Sequence, residues 1–193
     1  MRATVLALAL LAQPATASAE WQVQPFLGVT FGGGTSFVDL EHAAGHRHIA
    51  VGVSGVLLGD VIGIEADLGH MPGFFQTGDQ ALLKASRVST LTGNVVLAMP
   101  RHLTQYTLRP YFVVGAGRMY VSSDQWLPAL SFAVNLPAMD VGGGVTGFLT
   151  EHVGVNWGVR YFRSVGQQAE GPVVVADQQL SFWRANMALA IRY

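Results

Sequence analysis

Apolar and polar residues alternate with a period of two along several segments of the chain. In WRANMALAIRY, residues 183–193, the odd positions are apolar, and the even positions carry Arg184, Asn186, two alanines and Arg192. Successive side chains of a β-strand point to opposite faces, so this alternation predicts a strand with one apolar face. The same period recurs over 21–31, 48–57 and 152–161. Alternation repeated this often predicts an all-β protein.

The second face of these strands decides the class of β protein. It is dominated by Gly, Ala, Ser, Thr, Asn and Gln, and only 12% of the whole chain is charged. A soluble sandwich or lipocalin-like barrel would turn a face rich in Lys, Glu and Asp to water. Small and polar side chains suit a narrow lumen, with the apolar face against lipid. Because a bilayer tolerates no open sheet edge, such strands must close into a barrel.

The spacing of the alternating segments predicts eight strands, at 20–32, 47–58, 61–70, 87–98, 107–119, 139–149, 152–163 and 181–193. Short connections alternate strictly with long ones, as in bacterial outer-membrane barrels, whose short turns face the periplasm and whose long loops face outward. We therefore predict an all-β fold, an eight-stranded antiparallel up-and-down transmembrane β-barrel with both termini in the periplasm. Glycines obscure which face of the fifth and sixth strands meets lipid.

The first 19 residues have the pattern of a secretory signal peptide. A positive start at Met1-Arg2 precedes an apolar run over 5–12 and small residues over 15–19. We expect cleavage after Ala19, with residues 20–193 forming the barrel domain. The apolar run is about half the length of a membrane-spanning helix.

Overall composition excludes several classes of function. The formal net charge is −1 and no run of Lys or Arg occurs, so no nucleic-acid partner is expected. The chain contains no Cys, which excludes disulfides, thiolate catalysis and cysteine-based metal sites.

Charged and amide side chains on the polar faces are predicted to meet inside the barrel. A pair of carboxylates could serve acid–base chemistry or a proton pathway, but opposite charges in a narrow lumen neutralise one another, and unpaired buried ions are costly. We expect a structural network that fills the barrel, since eight strands enclose little more than their own side chains. Its predicted members are Glu65, Asp67, Asn94, Asn156, Arg160, Arg184, Asn186 and Arg192.

Aromatic residues on the apolar faces are predicted to mark the membrane interfaces, as in the girdles of outer-membrane barrels. They are Trp21, Phe31, Trp157, Tyr161, Trp183 and Tyr193.

The first long loop, LEHAAGHRH, holds His42, His46 and His48 beside Glu41. Imidazoles are common metal ligands, but the spacing matches no recognised metal motif and a loop does not fix geometry. We expect a solvated polar loop, with no metal and no cofactor.

Two loops are unusually apolar. Residues 124–137 either form a contact surface or extend the sixth strand, and Phe74-Phe75 in the second long loop poses the same alternative.

Three segments carry a resemblance to a known family: GIEADLGH (63–70), RPYFVVGAG (109–117), and GGGV (142–145) leading to VNWGVRYF (155–162). On these the chain resembles the OmpA/OmpX-like outer-membrane β-barrel family, over essentially the whole of 20–193. The resemblance implies the eight-stranded fold, an outer-membrane location, contact with outer-membrane lipids and lipopolysaccharide, and recognition of the C-terminal strand, with Tyr193, by the outer-membrane assembly machinery. We expect a monomer.

The expected function is non-enzymatic, a structural or surface-interaction role carried by extracellular loops. One alternative is a lipid A deacylase-like barrel enzyme, which needs a His, a Ser and an acid on the outer face near the extracellular rim. His70 has that position, but no His-x-Ser pair accompanies it. Another alternative is a soluble periplasmic lipocalin-like carrier with its faces reversed.

Overall fold

A computed structural model describes residues 19–35, 47–74, 83–104, 108–125, 132–165 and 179–193. The predicted signal peptide therefore lies, except for Ala19, outside the described residues. The strands are β1 (Glu20–Thr35), β2 (His48–Leu58), β3 (Ile62–Pro72), β4 (Leu83–Ala98), β5 (Leu108–Gln125), β6 (Phe132–Phe148), β7 (Val153–Ser164) and β8 (Leu180–Arg192), with a short 3-10 helix at Arg101–Leu103. No helix in these ranges is long and apolar enough to cross a membrane.

Each strand pairs antiparallel with the next, and β8 pairs with β1, so the sheet closes into a barrel with strand order β1 to β8. The predicted eight-stranded, antiparallel up-and-down barrel is confirmed. Closure leaves no unpaired sheet edge, which satisfies the backbone hydrogen bonds of all eight strands.

Seven of the eight strands extend further than predicted at the end of the barrel that carries the long connections, hereafter the long-loop end. β4 begins at Leu83, β5 continues to Gln125 and β6 begins at Phe132. The β5–β6 ladder holds its register from Leu108↔Gly147 to Ser123↔Phe132. Residues 132–137 of the apolar segment 124–137 therefore extend the sixth strand, one of the two alternatives, residues 124–125 belong to β5, and 126–131 lie outside the described residues. At the opposite, short-turn end, the connections span 59–61, 99–107 and 149–152.

Backbone register settles the facing of β5 and β6. On β5, Val113 and Met119 are buried inside while Val114 and Tyr120 are exposed outside. On β6, Asp140 is buried and its neighbours Met139 and Val141 are exposed. The inward positions near the middle of β5 are Gly115 and Gly117, whose lack of a side chain is what obscured the alternation.

The lumen is filled in layers. Near the long-loop end lies a cluster of buried apolar side chains, hereafter the upper cluster: Ala50, Met71, Phe74, Val88, Met119, Val121, Leu136, Ala138, Phe162, Leu180 and Phe182. A smaller apolar cluster near the short-turn end contains Val56, Leu58, Val96, Ala98 and Val113. Charged residues lie between the two. Outside, the wall is apolar and exposed, as at Leu27, Ile64, Leu91 and Met187, which is the reverse of a soluble barrel.

Candidate functional site

The centre of the lumen holds a buried pair of opposite charges, Arg184 on β8 and Asp67 on β3. Arg184 Nη2 donates to both carboxylate oxygens of Asp67, at 2.9 and 2.8 Å, and Ser54 Oγ donates to Asp67 Oδ2 at 2.8 Å. The Arg184 guanidinium also lies over two aromatic rings, 4.5 Å from the centroid of Phe26 and 4.7 Å from that of Phe162. The inward parity of β3 and β8 brings these residues together across the barrel.

A second pair joins Arg160 on β7 to Glu65 on β3. Arg160 donates through Nη1 and Nη2 to the two oxygens of Glu65, at 2.5 and 2.8 Å. Arg160 Nη1 is also 3.7 Å from Asp67 Oδ2 and 3.8 Å from Asp140 Oδ2. Glu65, Asp67, Asp140, Arg160 and Arg184 thus form one connected group, hereafter the charge cluster, of three carboxylates and two guanidiniums.

Sequence reasoning missed Asp140. Its parity could not be assigned because Gly142 to Gly144 interrupt the alternation of β6. Neither Asp140 oxygen has a hydrogen-bond partner among the described protein atoms. Its nearest cation is Arg160, whose Nη1 lies 3.8 Å from Asp140 Oδ2.

Neutral polar side chains surround the charge cluster on its short-turn side. Asn94 Nδ2 donates to Glu65 Oε1 at 3.3 Å, Tyr111 Oη donates to Asn156 Oδ1 at 3.0 Å, and Asn156 Nδ2 donates to Thr146 Oγ1 at 2.8 Å. Asn186 is half-buried on β8, next to Arg184 on the same face, and its Oδ1 has no partner among the described atoms.

Arg192 lies apart from the charge cluster, at the short-turn mouth of the barrel. Its Nη1 is 3.6 Å from Glu20 Oε2, its Nε donates to the Glu151 carbonyl at 2.6 Å, and its guanidinium stacks on Phe148. Arg101 also pairs with Glu20.

Inward-facing amides on β1 continue this polar lining from the short-turn mouth into the lumen. Gln22 Nε2 donates to Glu20 Oε1 at 2.6 Å, and Gln24 Nε2 donates to Gln22 Oε1 at 2.7 Å. The period-two parity of β1 already places these three residues on one face, so the sequence carried the signal for this ladder.

The interior leaves little free space around the charge cluster. The upper cluster seals it toward the long-loop end. On the other side, the cavity among Glu65, Tyr111 and Asn156 measures only about 20 Å³, and a cavity of about 530 Å³ opens only at the mouth beside Glu20 and Arg192. A space of about one water molecule does not make a conduit.

Five of the six predicted interface aromatics are exposed on the outer wall: Trp21, Phe31, Trp157, Trp183 and Tyr193. Tyr161 is half-buried and packs on Trp183, with ring centroids 5.0 Å apart. Trp183 on β8 pairs in turn with Phe31 on β1. These three gather near the long-loop end, while Trp21 and Tyr193 lie at the short-turn end. Trp157 pairs with Val145 and Met187, deeper in the wall than the strand ends.

The structure places a serine beside His70, which sequence reasoning did not anticipate. His70 on β3 and Ser89 on β4 are direct cross-strand neighbours on the outer wall, with Nδ1 and Oγ 2.9 Å apart. A search for His-x-Ser spacing cannot find a partner on another strand. Only the register of β3 against β4 reveals it.

The histidine loop yields no metal centre in the part of the chain that is described. Among those residues, no group of three potential His, Cys, Asp or Glu ligands comes together. His42 and His46 lie outside the described ranges. His48 opens β2, and its ring packs on that of the buried Phe74, with centroids 5.1 Å apart.

No family model matches the sequence, and no curated protein sequence matches it significantly. Solved structures do match. Neisserial surface protein A is 13% identical over 91% of this chain and 99% of its own, with a TM-score of 0.61. The N-terminal β-barrel domain of Pseudomonas aeruginosa OprF is 12% identical, with 92% and 100% covered and a TM-score of 0.57. The outer membrane protein OprG from Pseudomonas aeruginosa is 11% identical, with 92% and 97% covered and a TM-score of 0.59. The resemblance seen in the sequence is thus confirmed for the architecture, and the chain has the fold of the small eight-stranded outer-membrane β-barrels.

Proposed function

We propose that this chain is an integral, monomeric protein of the bacterial outer membrane, with its termini in the periplasm. The single observation that carries the proposal is the outer wall, where large apolar side chains stay exposed all around a closed barrel. Water would make such a wall costly, whereas lipid is its matching solvent. Cleavage after Ala19 would leave Glu20, whose carboxylate lies at the short-turn mouth, as the first residue.

The role proposed is structural or in surface interaction, carried by the loops at the long-loop end. The filled interior supports this role over transport. The upper cluster lies on one side of the charge cluster, and on the other side there is a cavity of only about 20 Å³. Eight-stranded barrels have room for their own side chains and little else.

We propose that the barrel contacts lipopolysaccharide and other outer-membrane lipids through its apolar wall. We also propose that β8, followed by the exposed Tyr193, is the strand that the outer-membrane assembly machinery recognises. Both proposals extend the resemblance to small outer-membrane barrels noted in the sequence.

The His70–Ser89 pair is the observation that favours a lipid-modifying enzyme. A serine nucleophile needs a base and a group that orients the base. Among the strand residues whose side chains are described, which do not include Asp124 on β5, no carboxylate faces outward to orient His70. Backbone N–H groups that could stabilise an oxyanion belong to the β3–β4 ladder around the pair. We therefore propose a non-enzymatic barrel, with the pair satisfying its own hydrogen bonds in the membrane wall.

Fractionation of expressing cells tests the location. We expect the protein in the outer-membrane fraction, extracted only by detergent and migrating faster on gels before boiling than after. Protease added to intact cells is expected to cut within the long loops and to leave the short turns intact.

A freely soluble periplasmic product would contradict the proposal and favour the carrier. Lipid A deacylation in intact cells that is abolished by both His70→Ala and Ser89→Ala would contradict the non-enzymatic assignment while leaving the location intact.

A further inference from the structure

Asp140 on β6 is the carboxylate with the fewest partners in the described part of the lumen. Its side chain is fully buried, and neither of its oxygens has a hydrogen-bond partner among the described protein atoms. The nearest cation, Arg160, lies 3.8 Å from Oδ2 and already donates two hydrogen bonds to Glu65. A buried carboxylate without hydrogen bonds is costly, so this geometry calls for a further positive partner.

The charge cluster as a whole has the same imbalance. Three carboxylates face two guanidiniums, because Glu65 is bound by Arg160 and Asp67 by Arg184, each through two hydrogen bonds. With all five groups ionised, one negative charge remains in excess. That charge falls on Asp140, the member whose oxygens accept no hydrogen bond.

The other strands add no cation beside Asp140 in the described part of the lumen. On β5, the inward positions at this height are glycines, and Tyr111 nearer the short-turn end donates to Asn156. His48 on β2 packs against Phe74 in the upper cluster. The inward residues of β1, β2 and β4 beside the charge cluster carry no charge: Phe26, Thr30, Ser54, Thr90, Thr92 and Asn94. The positive partner therefore has to come from solvent, and the smallest one is a proton.

Two unused hydrogen-bond acceptors face Asp140 from β4. Asn94 Nδ2 donates to Glu65, and Asn94 Oδ1 occupies the space that a Cβ of Gly115 on β5 would fill. Gly115 pairs with Asn94 on one side and with Asp140 on the other, so no side chain of β5 separates the two. Asn94 Oδ1 and Thr92 Oγ1 both lack a partner among the described atoms. A carboxylic acid can donate a hydrogen bond to such an acceptor, whereas a carboxylate cannot.

We propose that Asp140 is a proton-binding site, whose carboxyl group takes up one proton from solvent in the folded barrel and donates it in a hydrogen bond to Asn94 Oδ1 or Thr92 Oγ1. Proton uptake removes the excess negative charge and leaves Arg160 to Glu65. Release of the proton makes Asp140 a competitor for Arg160, whose Nη1 already lies near both carboxylates. The charge balance of the lumen then depends on pH. Proton binding is a property of the folded barrel and does not depend on where the cell places it.

The proton approaches from the short-turn end. The upper cluster covers the charge cluster toward the long-loop end. On the other side lie the mouth cavity beside Glu20 and the cavity of about 20 Å³ lined by Gln24, Glu65 and Tyr111. The smaller cavity has room for about one water molecule, which can carry a proton between them. With the termini in the periplasm, as proposed above, Asp140 responds to periplasmic pH.

The test compares the unmodified barrel with Asp140→Asn, whose amide has the shape of the carboxylic acid and does not ionise. Both are refolded in detergent, checked by heat-modifiable migration, and unfolded with urea at about pH 5 and about pH 8, at constant ionic strength, with tryptophan fluorescence as the readout. A group protonated in the folded state and ionised in the unfolded chain lowers the folding equilibrium constant by up to about tenfold per unit rise in pH. We therefore expect the ratio of the two constants, unmodified over Asp140→Asn, to fall at least about tenfold across this range.

Asp60→Asn is the matched control, since it makes the same chemical change at an exposed carboxylate in the first short turn. Its ratio to the unmodified barrel should stay constant over the same pH range. Infrared spectroscopy in D₂O gives a second readout, which serves also if Asp140→Asn fails to refold. We expect the unmodified barrel to show the C=O stretch of a protonated carboxyl at about pH 6, where exposed carboxylates are ionised, and Asp140→Asn to lack it.

A ratio that stays constant or rises with pH would overturn the proposal, because Asp140 would then be ionised throughout, as an ordinary ion-pair partner of Arg160. Absence of the protonated-carboxyl band from the unmodified barrel would contradict it equally. A band that persists in Asp140→Asn would assign the proton to Glu65 or Asp67 instead. Stabilisation by sodium ions at constant ionic strength, lost in Asp140→Asn, would replace the proton by a bound cation and so refute the proposal.

Discussion

At the scale of single residues, Arg184 is the most constrained side chain of the lumen. It is fully buried, pairs with Asp67 through Nη2, and lies over the rings of Phe26 and Phe162. Removing a guanidinium from water costs several kcal/mol, which only a well-placed carboxylate and further contacts offset. Cation–π contacts of this kind add about 0.5 to 2 kcal/mol each.

Replacing Arg184 by Gln is therefore expected to destabilise the barrel by about 3 to 5 kcal/mol, because it removes the guanidinium that donates to Asp67 and leaves the three carboxylates of the charge cluster with Arg160 as their one counter-charge. Urea unfolding in detergent, followed by tryptophan fluorescence, measures the change. Arg192→Gln is the matched control: the same strand and the same face, but a partly exposed side chain at the mouth, with an expected loss of about 1 kcal/mol or less. Equal losses of unfolding free energy in the two variants would show that the charge cluster contributes no more to stability than an ion pair at the mouth of the barrel.

Parity along one strand was enough to predict that Glu65, Asp67, Arg160 and Arg184 turn inward, since each lies in a clean alternation. It was not enough to pair them. Which carboxylate meets which guanidinium depends on positions across the lumen, and the His70–Ser89 pair depends on cross-strand register. A single sequence contains neither the distances across the lumen nor the register between strands directly.

At the scale of strands, glycines allow side chains to fill a narrow lumen. Gly117 on β5 faces inward, and a Cβ there would lie 2.0 Å from the Leu91 carbonyl oxygen and 2.6 Å from Thr92 Cα. These are backbone atoms of β4, which cannot move without distorting the ladder. Gly93 on β4 faces outward, and a Cβ there would meet nothing within 4 Å.

Gly117→Ala is accordingly expected to lower the free energy of unfolding by about 1 to 3 kcal/mol, the usual cost of forcing an extra carbon into a packed interior. Gly93→Ala should be neutral or slightly stabilising. Thermal unfolding of the two refolded variants, followed by circular dichroism, makes the comparison. A stable Gly117→Ala barrel would mean that β4 and β5 separate more easily than their register indicates.

Strand ends were the least predictable part of each element. Apolar alternation fades near residue 119 of β5, yet the β5–β6 ladder continues to Ser123↔Phe132. Backbone hydrogen bonds hold these residues in the sheet, and backbone groups are the same for every sequence. Periodicity therefore located each strand but underestimated how far several of them extend beyond the membrane band, above all β4, β5 and β6.

At the scale of the whole molecule, the fold followed from few requirements: alternating faces, an even number of strands and a bilayer that forbids free edges. Closure is made between β8 and β1, where Tyr193 N donates to the Trp21 carbonyl at 3.0 Å. The side chain of Tyr193 remains exposed beyond this bond.

Because its ring touches little of the barrel, we expect Tyr193→Ala to change assembly in cells more than stability. The folded fraction in the outer membrane should fall severalfold in a pulse-chase experiment, while urea unfolding of the purified variant shifts by less than about 1 kcal/mol. Tyr193→Phe keeps the aromatic ring and serves as the control. Normal insertion of Tyr193→Ala would contradict the proposal that the assembly machinery recognises β8 through Tyr193.

The β1–β8 seam also sets the order in which the barrel can form. Seven of the eight ladders join neighbours in sequence, whereas the seam joins Val29 to Ala185. Closing a loop of that length costs about 3 kcal/mol more chain entropy than closing a tight hairpin. We therefore expect the seam to form after the other seven ladders, at a stage when the edges of β1 and β8 are still open. During that interval, the exposed edges of β1 and β8 are the surfaces from which aggregation starts, and a membrane that receives the chain must shield them until they meet.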